Sequence, residues 1–105
     1  ASALTVVSTT AAAAARMRLA DELLRRGETL AVEQLLVDQA NSSDPPAAAA
    51  ALAMLGKLYV KLNRPAAGQA CARRLERQFA GIALLASTGE AIESGAQAAT
   101  AIVNE

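Results

Sequence analysis

A chain of 105 residues fills one small domain with a modest core. With 53% hydrophobic residues it is not a disordered chain, and ten basic against ten acidic residues leave no overall field to attract DNA, RNA or an anionic membrane. One cysteine excludes an internal disulfide or a cysteine-rich metal site, and the lack of histidine removes the commonest metal ligand and general base.

Aromatic residues are only 2% of the chain while alanine is abundant, a composition that favours close helix packing over a sheet sandwich. Residues 1–10 carry the β-prone Leu4, Thr5, Val6 and Val7 with no later partner strand, so they read as an extended lead-in. With no basic leader region and no initiator Met, this is not an intact signal peptide, and the chain is expected to be a processed product or a piece of something longer. Ser8, Thr9 or Thr10 can cap a first helix ending before Gly27, with Met17, Ala20, Leu23 and Leu24 on its apolar side. Asp21 with Arg25, and Glu22 with Arg26, stand in the favourable i,i+4 order.

A second helix spans about Glu28 to Ala40, with Leu30, Val32, Leu35, Leu36 and Gln39 inward and Glu28, Glu33 and Asp38 outward. The short corner at Gly27 makes the two helices antiparallel neighbours. NSSDPP is the strongest break in the chain, and Asp44 followed by Pro45 is a helix start. The third helix runs from about Pro45 to Leu62, with Leu52, Leu55, Tyr59 and Leu62 on one face and Met54 and Leu58 beside it. Its internal Gly56 costs about 1 kcal/mol against alanine, which points to close approach by another helix. Asn63 and Arg64 turn the corner and Pro65 opens a fourth helix, whose face is Gly68, Cys71, Ala72, Leu75 and Phe79 and which Gly81 ends. Ile82, Leu84 and Leu85 are expected to cover the end of the bundle. Ser87 and Glu90 have capping-box spacing, predicting a fifth helix from about Thr88, with Ile92, Ala96, Ala99 and Val103 at helical spacing and Ser94 and Gly95 interrupting it.

Setting Leu19, Ala20, Leu23 and Gly27 against Leu55, Gly56, Tyr59 and Asn63 repeats one order of large, small, large and turn residues, about thirty-six positions apart. Two helical hairpins in tandem are the simplest account. The segment LAMLGKLYVKLNRPAAGQACARRLERQFA resembles a tetratricopeptide repeat: Leu55 and Gly56 match its Leu-Gly pair, Tyr59 its next aromatic, Asn63 its corner and Gly68 its small residue in the second helix. It departs at Ala72 and Leu75, whose sizes are exchanged, and at Ala80 in place of the closing proline. The resemblance implies stacked hairpins that present a groove to a protein or peptide. Leu-Gly-x-x-Tyr serves any close-packed bundle equally, so an unrelated bundle of four or five helices is the other reading of the same residues.

The expected fold is all-α: one domain over 1–105, with hairpins at 9–41 and 44–80 and a C-terminal capping helix in 81–105. No paired carboxylates share an apolar face, the glycines are dispersed, and Thr88-Gly89-Glu90 is a faint anion signal, so a non-catalytic chain without cofactor or metal is expected. Cys71, among alanines in a helix, reads as a small buried hydrophobe. The uneven charge is the remaining clue. Lys57, Lys61, Arg64, Arg73, Arg74 and Arg77 form a basic run opposed within it by Glu76 alone, either a solvated face or the surface that meets an acidic partner. The other function considered is self-assembly, with the alanine-rich faces of the first and third helices packed between copies as a homo-oligomer. Nucleic acid is disfavoured by zero net charge and by few aromatics for stacking, and no apolar run is long enough to span a membrane.

Overall fold

The computed structural model describes residues 11–85 and 91–104. Its elements are α1 (Ala11–Arg25), α2 (Thr29–Ala40), α3 (Pro45–Lys61), α4 (Pro65–Gln78), β1 (Ala83–Leu85), β2 (Ala91–Ser94) and α5 (Gly95–Asn104). The fold is all-α: these helices supply nearly all the buried core, and a short two-stranded hairpin is set between α4 and α5. The lead-in at residues 1–8, the proposed caps Ser8 to Thr10, and the Ser87, Thr88, Gly89 and Glu90 signals lie outside the described residues.

Two corners of one construction organise the chain. Gly27 and Asn63 have left-handed backbones, with φ of 76° and 60°. The Gly27 amide donates to the Leu24 carbonyl at 3.1 Å and the Glu28 amide to the Leu23 carbonyl at 3.0 Å. Thirty-six residues on, Asn63 donates to Val60 at 3.0 Å and Arg64 to Tyr59 at 2.8 Å. Each corner thereby satisfies two carbonyls that a helix end leaves unpaired. Packing follows the same order: α2 lies against α1 and α3, while α4 lies against α3 and α5. The central helix α3 touches α1, α2, α4, α5 and β1.

That position explains the composition of α3. Ala47, Ala48, Ala49, Ala51 and Ala53 are all buried, as are Leu52, Leu55 and Leu58. A helix surrounded by neighbours needs small side chains to let their backbones approach. The alanine run of α3 is therefore core, not a face for packing between copies. Val32 and Leu36 of α2 and Leu75 of α4 are fully buried, each worth about 1.5–3 kcal/mol of transfer free energy. Gly56 has the expected packing reason: a Cβ there would stand 2.5 Å from Ile102 Cδ1 and 3.2 Å from Cys71 Cβ. Gly68 sits in the same crossing, where its Cβ would be 3.3 Å from the Gly56 carbonyl oxygen.

Several side chains depart from single-helix expectation. Leu30 is 67% exposed rather than inward, because the buried face of α2 is Val32, Leu36, Gln39 and Ala40. Glu22 takes both Arg25, at 2.7 Å, and Arg26, at 3.2 Å, so the Arg25 partner is Glu22 instead of Asp21. Asp44 is the N-cap residue of α3, yet its carboxylate makes no cap hydrogen bond. Pro45 and Pro46 occupy the first helical positions and have no amide to offer.

The C-terminal segment differs most. Helix α4 ends at Gln78, and the Ile82 amide closes a turn onto the Phe79 carbonyl at 3.1 Å, so the chain has left the helix before Gly81. β1 and β2 pair antiparallel, Ala83 opposite Ser94 and Leu84 opposite Glu93, with Ile92 the extra residue where the register shifts. Residues 91–94 are therefore strand where a fifth helix is expected, and α5 begins at Gly95. Ser94 and Gln97 form its capping box: the Gln97 amide donates to Ser94 Oγ at 3.1 Å, and the Ser94 amide to Gln97 Oε1 at 2.8 Å. Ser-Gly, which reads as an interruption, is thus the helix start. Gly95 is required there because a Cβ would collide with the Phe79 carbonyl. The inward residues of α5 are Gly95, Ala98, Ala99 and Ile102, while Val103 is exposed. Leu84 is buried and Ile82 packs against the core, while the side chain of Leu85 lies outside what the structure describes.

Candidate partner-binding surface

The basic run of α3 and α4 divides into residues held by partners within the fold, Arg64 among them although it stays exposed, and residues with no such partner described. Arg64, the N-cap residue of α4, places its guanidinium 3.7 Å from Glu33 Oε2. The same oxygen accepts the Tyr59 hydroxyl at 2.6 Å. Arg74 donates from Nη2 to the Ala40 carbonyl at 3.0 Å, satisfying an otherwise unpaired acceptor at the end of α2. Both arginines thus tie the second hairpin to the first. Lys57 is half-buried and already in an interaction.

Lys61, Arg73 and Arg77 are exposed. Arg73 and Arg77 are one helical turn apart on the outer side of α4, and Lys61 stands in the last turn of α3, where a cation favours the helix dipole. The six residues do not converge on one patch, because Arg64 and Arg74 turn toward α2. Sequence spacing within α4 cannot show this, since the partners lie more than thirty residues earlier.

Glu33 is the residue that sequence reasoning set among the outward ones. It is half-buried and joins Tyr59 to Arg64 across the hairpin boundary. Burial, then the Glu33 hydrogen bond and charge, push the Tyr59 phenol up to about 12, with Arg64 opposing. A phenol held there keeps its proton near neutrality. Gln39 is also buried; its Nε2 donates to the Ala47 carbonyl and to Met17 Sδ, both at 3.1 Å, joining α1, α2 and α3. Burial raises the Cys71 thiol, with Arg74 opposing, so the reactive thiolate is disfavoured.

The outer side of α2 carries an open hollow lined by Leu30, Glu33, Gln34, Val37 and Asp38. Among the described residues no three His, Cys, Asp or Glu side chains gather as a metal site requires, and no helix is long and apolar enough to cross a membrane. Comparison with family models, curated proteins and solved structures returned no match for this chain.

Proposed function

We propose that the chain is a non-catalytic protein-interaction module of tetratricopeptide-like hairpins, and that Lys61, Arg73 and Arg77 meet an acidic segment of its partner. The observation that supports the reading is the repeated corner. The same pair of hydrogen bonds recurs thirty-six residues apart, and α5 is set on α4 as α3 is set on α2. Stacked hairpins of this kind offer extended surfaces instead of enclosed clefts. Glu33, Tyr59, Arg64 and Arg74 are paired with one another or with a backbone carbonyl, and Gln39 donates to the Ala47 carbonyl while its buried Oε1 has no protein partner.

The reading is tested with a fluorescent glutamate-rich peptide titrated into the chain at low and high salt. The expected result is salt-sensitive binding that the paired substitutions Lys61→Glu and Arg73→Glu abolish. Binding and salt dependence unchanged by that reversal would remove the basic face from the function.

A further inference from the structure

The outer side of α2 is apolar at its centre and acidic at its edges. Leu30 and Val37, 67% and 38% exposed, stand in the open hollow there with Glu33, Gln34 and Asp38. Helix α2 holds no lysine or arginine. Arg64 engages Glu33, while Asp38 is left exposed.

Helix α4 has the opposite character. Ala66, Ala70, Arg73 and Arg77 are all exposed, and their spacing places them along one side of the helix. The two alanines let another helix come close to the α4 backbone, because the distance between packed helices is set by the side chains at the contact. The two arginines follow in the same row. The α2 hollow therefore has its complement on α4: room over the alanines for Leu30 and Val37, and guanidinium groups for the carboxylate edge. Arg73 and Arg77 are exposed in the chain itself, so its own α4 does not cover its own hollow. Both halves of the match belong to one chain, whose ten basic and ten acidic residues cancel. A two-fold axis would set α2 of each copy on α4 of the other and make the contact twice, with no net charge opposing the approach.

We infer that the chain forms a two-fold dimer in which the α2 hollow receives the side of α4 carrying Ala66, Ala70, Arg73 and Arg77 from a second copy. The inference rests on the reading that the basic face meets an acidic segment, and it names that segment as α2 of the second copy.

Sedimentation equilibrium of the full chain over a range of concentrations is expected to show a dimer at low salt that dissociates as salt screens the charges. Asp38→Arg alone, and Arg73→Glu with Arg77→Glu, should each weaken the dimer about tenfold. Mixed in equal amounts the two variants should recover it, since each α2 then faces an α4 of opposite charge. Leu30→Asp, at an exposed position, should give a monomer that unfolds at the same denaturant concentration as the dissociated parent chain. The inference is overturned by a chain that stays monomeric at high concentration and low salt; if that chain still binds the glutamate-rich peptide, the basic-face reading stands without it. It is also overturned if the mixed variants fail to re-form the dimer. Leu30→Asp destabilising a monomeric chain would overturn it as well, because another part of the same chain would then occupy the hollow.

Discussion

Tyr59 is the one tyrosine of the chain and there is no tryptophan, so phenolate absorbance titrates this residue by itself. Its pKa is raised from 10.0 to about 12, by burial first and by Glu33 second. The unfolded chain releases this proton near pH 10, so above that pH the unfolded state binds fewer protons and stability falls. The contribution should be intact below about pH 10 and lost as the pH rises to about 12. A phenolate midpoint at 10 in the folded chain would mean that the hydroxyl neither is buried nor meets Glu33. Tyr59→Phe should cost about 1 kcal/mol near neutrality and remove the alkaline loss. Gly56→Ala gains about 1 kcal/mol of helix propensity but drives a methyl into Ile102, so a net destabilisation of about 1–2 kcal/mol is expected. Ile102→Val removes the Cδ1 atom that the methyl meets. Denaturant unfolding of the double variant should therefore show less destabilisation than the two single changes summed; additive losses would refute the contact.

The start of α5 is decided by a box and a glycine. Ser94→Ala should cost about 1 kcal/mol, the usual magnitude for a lost N-cap. Gly95→Ala should cost more, because its methyl meets the Phe79 backbone, which has no rotamer to change. Alkylation of Cys71, which is 7% exposed and lies against Gly56 of α3 as Ile102 of α5 does, reads the undocking: Gly95→Ala should label much faster than Ser94→Ala. Equal labelling rates would show that α5 is not held at this point. Helix propensity and the breaks at Gly27, Asp44-Pro45 and Asn63-Pro65 made α1 to α4 legible, since both are local signals of the sequence. The β hairpin was not legible, because residues 91–94 carry no strong alternation and their pairing depends on the turn at Phe79 to Ile82, in another part of the chain.

Across the whole molecule, α3 is enclosed by α1, α2, α4, α5 and β1, while α1 packs mainly on α2 and lightly on α3. Local opening follows burial, so amide exchange should be slowest at Leu52, Leu55 and Leu58 and faster throughout α1. Exchange in α1 as slow as in α3 would contradict this graded stack. Of the candidate surface, Lys61, Arg73 and Arg77 are exposed, whereas Arg74 is half-buried on the Ala40 carbonyl of α2 and Arg64, though exposed, is drawn toward Glu33 of α2. The sequence by itself determined the all-α class, the corners at Gly27 and Asn63 and the tight packing at Gly56, because left-handed backbone, helix periodicity and side-chain volume are local properties. Tertiary structure alone decided that Glu33 binds Tyr59, that α3 rather than an intermolecular face uses the alanines, and that Ser94 and Gly95 begin α5. Each of these depends on which helix lies opposite, and hydrogen bonding and steric exclusion act between residues the chain order keeps apart.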